Sequence, residues 1–316
     1  MSESHIKWAV SRLSSTGYQI RSSSPDVIQD NPWSTVYRFE TNKGFVFLKT
    51  MPKKLSIEAE IIAILRKKFN APVPRIIASD QDLCCFLMQD AGIKLHDYFK
   101  ENFQSKIFIK AMQDYAALQM SSHNKTQVFL DMGVPDWRLE KLPDLYANFI
   151  AHDKLLLEDG LNSEELTKLK KLEPRFISIC EKISNYKVVD TFGHADFHDK
   201  NILVDSCTNE TTIIDLGEVV ITHPFFSLHN CLHMATENFS LSSEEDQMIR
   251  YESLKPWLAW ETQENLLEVM ALINQCWSIH AVLGELRLMN SVEQSSFNKL
   301  HRQGRLARKL RYWLNQ

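Results

Sequence analysis

The chain has 316 residues, 44% hydrophobic and 24% charged, with a formal net charge of −4. That length leaves room for two hydrophobic cores, the composition is that of a globular chain, and the weak acidic balance does not suggest a nucleic-acid surface. The six cysteines, Cys84, Cys85, Cys180, Cys207, Cys231 and Cys276, form no C-x-x-C pair, so neither a zinc ribbon nor a thioredoxin-like motif is signalled and reduced thiols are expected.

The first residues, MSESHIKWAVSRL, are amphipathic and lack the continuous apolar core of a signal peptide. No stretch reads as long enough to cross a membrane, so a cytoplasmic location is expected. Residues 35–40 and 45–50 are rich in β-branched and aromatic side chains around the turn signal Thr41-Asn42-Lys43-Gly44, which predicts a β-hairpin. Residues 54–69 carry Ile57, Ile61, Ile64, Leu65 and Phe69 at helical spacing, and Pro72 and Pro74 stop that helix. Residues 83–88 read as a short buried strand. Beyond Gln89-Asp90-Ala91-Gly92, helical patterns run to residue 186; two short strands, 201–205 and 211–215, interrupt them, and helices resume to the C-terminus. The late basic run, Arg302, Arg305, Arg308, Lys309 and Arg311, reads as the solvated face of a last helix. The expected fold class is α+β, with a β-rich small lobe over residues 1–90 and a mainly helical large lobe over 91–316. Such lobes are expected to enclose a cleft, a favoured place for ligands.

Residues 193–218, GHADFHDKNILVDSCTNETTIIDLGE, concentrate the polar chemistry. If the two strands form a hairpin with its turn centred on residue 208, Asn201 faces Asp215. An amide oxygen beside a carboxylate suits a hard cation such as Mg2+, with phosphate oxygens completing its shell. Asp196, five residues before Asn201, can reach the same space. One carboxylate to position a hydroxyl and take its proton, plus oxygen ligands for a metal on nucleotide phosphates, are what phosphoryl transfer needs. Positioning and charge stabilisation do most of the rest.

His194-x-Asp196-x-x-x-x-Asn201 followed by Asp215-Leu216-Gly217 resembles the catalytic loop and metal-binding Asp of the aminoglycoside phosphotransferase and choline kinase superfamily, relatives of the protein kinases with a two-lobed fold. Ala195 stands where the family usually has Gly. His223-Pro224-Phe225-Phe226-Ser227-Leu228 is similar to the family's D-P-x-x-D-L segment, with His223 and Ser227 in place of its two Asp residues. The resemblance implies that Lys49 contacts nucleotide phosphates and that Glu58 pairs with it, with Glu60 as a rival. It implies that the backbone at Met88 and Gln89 meets the adenine, and that ATP and Mg2+ are the cofactors. A small-molecule hydroxyl compound, an amino sugar, a choline-like alcohol or a sugar, is then the acceptor, with neither nucleic acid nor membrane as partner. The glycine-rich loop is missing; Asp30-Asn31-Pro32-Trp33-Ser34 occupies its place.

Two readings of other classes stand beside this one. His194, Asp196 and His198, with His229 and His233 one helical turn apart, could hold zinc in a hydrolase, but the helix pair lacks the Glu of H-E-x-x-H. A catalytically inactive kinase-like binding module would account for the glycine-free loop but not for Asp196, Asn201 and Asp215. Residue by residue the reading is plainer: a strand-end Lys49 and a helical Glu58 are ordinarily solvated. Asp215, directly after Ile213-Ile214, is expensive to bury without a partner. His194 and His198 fit supporting roles, and Glu218 fits either the metal site or the surface. Downstream, Tyr251, Trp257, Trp260 and Trp277 lie among Glu252, Glu261, Glu264 and Glu268. Aromatic walls with carboxylates suit a cationic or hydroxyl-rich acceptor, so at least one of Trp257, Trp260 and Trp277 is expected on its wall.

Overall fold

The computed structural model describes residues 3–22, 24–293 and 303–316. Leaving short helical turns unnumbered, the order is α1 (Glu3–Ser15), β1 (Asp26–Asn31), β2 (Ser34–Thr41), β3 (Gly44–Thr50), α2 (Glu58–Phe69), β4 (Ile76–Asp80), β5 (Cys85–Gln89), β6 (Ile93–Lys94), α3 (Ser105–Ser122), β7 (Asp136–Trp137), α4 (Leu142–Ile150), α5 (Ser163–Lys171), α6 (Glu173–Ser184), β8 (Thr191–His194), β9 (Ile202–Val204), β10 (Thr211–Ile213), β11 (Val219–Thr222), α7 (Phe225–Phe239), α8 (Ser243–Leu254), α9 (Gln263–Ser291) and α10 (Arg305–Leu314). The α+β class expected from the sequence is the one observed, with a β-sheet N-terminal region and a helical C-terminal region. The residues group into two compact units. One comprises Met1–Ile93, Leu203–Gly217 and a short stretch that starts at Leu288; the other comprises Lys94–Ile202, Glu218–Arg287 and the end of the chain.

The first unit is built on a five-stranded sheet in the order β1-β2-β3-β5-β4, antiparallel throughout. Alternation at period two explains it. Tyr37 and Phe39 of β2 and Val46 and Leu48 of β3 point to one face, where Ala9 and Leu13 of α1 cover them. Lys49, one residue on from Leu48, must point to the opposite face, where it is 6% exposed. Two strands, β1 and β4, were not anticipated. The segment in the place of the glycine-rich loop is a tight hairpin between β1 and β2 with Asn31 paired to Ser34. The Asn31 side-chain oxygen accepts from the Trp33 and Ser34 N–H groups, each at 2.9 Å, so an asparagine closes the turn without glycine. Helix α2 starts at Glu58, later than expected, after a 3-10 turn over Lys53–Leu55. It ends where Asn70 takes the left-handed conformation, φ 48°.

The later hairpin is shorter than the sequence reading had it. β9 and β10 pair, with Asp205 N–H donating to Glu210 O at 2.9 Å. Asn201 closes a 3-10 turn before β9, and Asp215 lies beyond β10, so neither sits in the ladder. The hairpin is held close to Gly92, whose φ is +110° and where an added Cβ would meet Val204 O at 2.1 Å.

In the second unit β8 pairs antiparallel with β11, and β7 lies parallel to β11. Around this small sheet pack α3, α7 and α9. Helix α9 contains an 18-residue window of mean hydropathy 1.4, long and apolar enough to cross a membrane by length and composition. That corrects the expectation that no stretch qualifies; 61% of the window is buried inside the protein, as in a core helix. Helix α10 buries Leu306, Ala307, Leu310 and Trp313. Its start is tied down by the Asp159 carboxylate, which accepts from the N–H groups of Gly304 (2.9 Å) and Ala307 (2.8 Å). Arg302 lies outside the described residues.

His280 of α9 sits in this core, stacked on Phe226 at 4.5 Å with Trp137 edge-on at 4.9 Å, and its Nε2 has no hydrogen-bond partner. Burial pushes its pKa down to about 3. The unfolded chain takes up this proton below pH ~6.5 and the folded chain does not, so stability is lost as the pH falls from there. His280→Phe keeps the aromatic packing and removes the penalty. Its stability relative to the parent should therefore rise by about 2 kcal/mol between pH 7 and pH 5 in urea unfolding. A difference that does not change with pH would show His280 charged in the native state.

Candidate active site

Two constellations form, one in each unit. In the first, the Lys49 ammonium lies 2.7 Å from Glu58 Oε2 and 2.5 Å from Asp215 Oδ1. The register of β3 supplies the lysine, and the first turn of α2 supplies the glutamate. Glu58 is 2% exposed, whereas Glu60 is exposed. The second oxygen, Glu58 Oε1, accepts from Leu216 N–H at 3.1 Å, which ties the Asp215-Leu216-Gly217 segment to α2. An added Cβ at Gly217 would come within 3.4 Å of Glu58 Oε2, so the small residue keeps this approach open. Asp215 holds φ at 63°, an uncommon conformation for a residue with a side chain. Its side chain remains 35% exposed. Burial works against the charge on Lys49, but Asp215 and Glu58 outweigh it and hold its pKa above the ordinary value. Burial pushes the Glu58 carboxyl up, with Lys49 opposing.

Met88 and Gln89 end β5, where Met88 pairs with both Phe47 and Ile76. The Gln89 N–H donates to Arg75 O at 3.0 Å and its side chain to Tyr18 OH at 2.8 Å. These two residues are thus committed to the sheet.

The second unit holds the segment from His194 to Asn201. His194 Nδ1 accepts from Asp196 N–H at 3.1 Å, and Asn201 Nδ2 donates to Asp196 O at 2.9 Å. The carboxylate of Asp196 is half exposed and its Oδ2 lies 3.2 Å from His198 Nε2. Partial burial would raise the Asp196 pKa. The hydrogen bond and charge of His198, with the charges of His194 and Lys309, bring it down to about 2. Burial opposes a charge on His198, but Asp196 and Asp199 outweigh it and push its pKa up to about 9. Lys200 N–H, 3.1 Å from His198 Nδ1, favours the neutral ring; two carboxylates prevail over one backbone donor.

Residues that sequence reasoning missed fix this loop. Ser227 Oγ accepts from His194 N–H and donates to His194 O, both at 3.0 Å. One turn on, Asn230 Nδ2 donates to Phe197 O at 2.8 Å. Their i, i+3 spacing on α7 was the available signal. Asp199, fully buried, takes contacts from His96 Nδ1 at 2.6 Å and Asn238 Nδ2 at 3.1 Å. Glu218 O accepts from Ala195 N–H at 3.1 Å, and its side-chain charge acts on Arg287.

Other expectations need correction. Trp257 is 1% exposed, packed against Phe225 at 5.3 Å, and Trp260 lies on Trp257 and His123. Both serve helix packing. Trp277, half-buried, touches His229 and His233, with Lys309 over its ring at 5.9 Å. Lys309 itself was read as part of a solvated face, yet it is half-buried and close enough to Asp196 for the two charges to interact. Among the described residues, no group of three or more His, Cys, Asp or Glu side chains is placed to hold a metal, which counts against the zinc-hydrolase alternative.

Residues 29–264 match the family model described as the phosphotransferase enzyme family. No curated protein matches the sequence. Similar solved structures include an ethanolamine kinase of Plasmodium vivax, with TM-score 0.61 and 12% identity over 85% of this chain and 82% of that one. A macrolide 2'-phosphotransferase type I gives TM-score 0.60 and 13% identity over 97% and 98%. An amicoumacin kinase in complex with AMP-PNP and Ca2+ gives 0.60 and 14% over 99% and 96%. At such identities the likeness shows the fold, the kinase-like one of these enzymes.

Lys49→Met leaves Glu58 buried without its counter-charge. It should destabilise the protein by roughly 3–5 kcal/mol at pH 8 in denaturant unfolding. The deficit should shrink toward pH 5 as Glu58 takes up a proton, because a carboxyl raised by burial regains stability when neutral. A pH-independent loss under about 1 kcal/mol, the size of an exposed pair, would show the contact to be a surface-type ion pair.

Proposed function

From the premise that this chain belongs to the phosphotransferase enzyme family, we propose that it transfers the γ-phosphate of ATP to a hydroxyl group of a small molecule. The observation that carries the proposal is the buried lysine of β3 held between Glu58 and Asp215. A permanent cation fixed by one buried carboxylate is a phosphate-binding device; the second carboxylate, partly exposed, keeps oxygen available to a hard metal. Lys49 engages the nucleotide phosphates and Glu58 positions it. Asp215 and Asn201 would hold Mg2+, their oxygens being the kind this ion takes. The metal, when bound, neutralises charge on the phosphates. The adenine is met by backbone near Met88 and Gln89, beyond the groups that the sheet consumes.

Asp196 is the residue that orients the acceptor hydroxyl and takes its proton. Its carboxylate is half exposed and ionised at neutral pH. Asn201 and His194 hold the backbone on either side of it, and Ser227 and Asn230 hold the loop that carries it. The low basicity of Asp196 matches a role in which positioning dominates and the proton leaves late, as expected where little bonding to the nucleophile precedes the transition state. Amino sugars, choline-like alcohols and sugars are the acceptor classes in view, with Trp277 the aromatic residue suitably placed for one of them.

Asp196→Asn should keep ATP binding and the native fold while lowering turnover by several powers of ten, on the order of the contribution of general base and positioning combined. ATP consumption measured against a panel of small hydroxyl compounds tests this. A variant with near-normal turnover would remove Asp196 from its role. In the same assay Lys49→Met should damage ATP use more than Glu58→Gln does, since the former contacts phosphate and the latter acts through the lysine. The reverse order would contradict the assignment.

A further inference from the structure

Several cations of α10 stand near the loop that carries Asp196. Helix α9 passes the loop closely: a Cβ added at Gly284 would meet the Ala195 Cβ at 4.0 Å. Glu285 follows it, 5% exposed, with Arg305 Nε of α10 at 3.8 Å. One turn further along α10 stands Lys309. Its ammonium lies over the Trp277 ring, 5.9 Å from the centroid, and among the described residues it has no hydrogen-bond or ion-pair partner. The electrostatic neighbours of Lys309 are Glu285, Arg305, Asp196 and Arg308. Among the described residues these neighbours, Asp196 apart, comprise two arginines and one carboxylate, which with Lys309 makes the group cationic.

We propose that the acceptor carries an anionic group, a carboxylate in the simplest case, besides its reactive hydroxyl, and that Lys309 binds that group while Trp277 packs against the adjoining carbon skeleton. The inference rests on the phosphotransferase reading and narrows it to a substrate class. A half-buried ammonium without a partner is costly, and burial lowers its pKa accordingly. An anion arriving at Lys309 would relieve that cost, whereas an amino sugar or a quaternary amine would bring another cation beside Lys309, Arg305 and Arg308. The position is also firmly built. Arg311, two residues on, bonds Glu165 at 2.6 and 3.0 Å, and Trp313 Nε1 donates to Tyr146 OH at 3.2 Å. With α10 pinned at both ends, the backbone that carries Lys309 is fixed before any ligand arrives, which favours recognition by preorganisation.

The test uses triplets of related polyols that differ chiefly in charge: glucuronate, glucose and glucosamine; glycerate, glycerol and serinol. Phosphorylation by ATP is measured for the full-length parent, Lys309→Met and Lys309→Arg. The acid member of a triplet should exceed its neutral and amino partners at least about tenfold in kcat/KM, the size of one charge-assisted contact. Lys309→Met should erase that preference through the acceptor KM, with the KM for ATP unchanged, and Lys309→Arg should restore most of it. Preference for amino or neutral members overturns the anionic acceptor and leaves the phosphotransferase reading standing. So does a Lys309→Met effect on the KM for ATP. The broader reading fails separately, when ATP consumption stays at background with every compound. In that event an acylating reagent that labels Lys309, read by mass spectrometry, still decides the matter. Protection by an acid and not by its partners supports the proposal, and labelling that no acid reduces overturns it.

Discussion

Everything in the N-terminal unit that bears on function depends on one ammonium group buried between two carboxylates. Lys49 is buried almost completely. Glu58 satisfies it from α2 and Asp215 from the segment after β10. Each contribution comes from a different structural cause: strand period for the lysine, a helix start for the glutamate, and a left-handed backbone residue for the aspartate. A buried ion triad is a poor device for stability alone, since desolvation consumes much of the Coulomb attraction. What it does is hold a cation at a fixed place with one carboxylate still partly open.

The C-terminal unit solves a different problem. There the carboxylate of Asp196 is left half open while its backbone is fixed by side chains on both flanks. Ser227 takes both backbone groups of His194, where the related motif carries an Asp. A hydroxyl can donate and accept at once, so it satisfies an N–H and a carbonyl that a carboxylate could satisfy only in part. The neighbouring Asp199, His96 and Asn238 form a second layer beneath the loop. Rigid backbone with an open functional group is the arrangement that positioning chemistry demands.

The parts of this arrangement that were legible in sequence are those carried by short spacing. His194-x-Asp196-x-x-x-x-Asn201, Asp215-Leu216-Gly217 and the pairing of Lys49 with Glu58 each lie within one turn or strand, or in a strand and the helix after it. The fold class followed from the change from period two to helical period after Gln89. Strand β1 was hidden because its sequence, DVIQDN, is polar and largely exposed, an edge that packs on little. Asn201 and Asp215 were read into a ladder because apolar runs preceded or followed them; the 3-10 turn and the left-handed residue that exclude them leave no period in the sequence. Lys309 was misread because a basic run looks the same whether its helix lies on water or docks on Tyr146 and Glu165. The tryptophans divided by contacts that no local pattern encodes: Trp257 and Trp260 meet edge to face, and Trp277 meets two histidines and a lysine.

The central claim is that the γ-phosphate ends on the oxygen of an organic acceptor. ATP labelled with 18O in the γ-phosphate, incubated with the purified chain, Mg2+ and a metabolite extract, gives a direct answer by mass spectrometry of the products. The account predicts a new phosphomonoester that carries the heavy phosphate intact and is lost when Asp215→Ala replaces the parent. Heavy label recovered only as inorganic phosphate, or ATP left unconsumed while nucleotide binds, would contradict it.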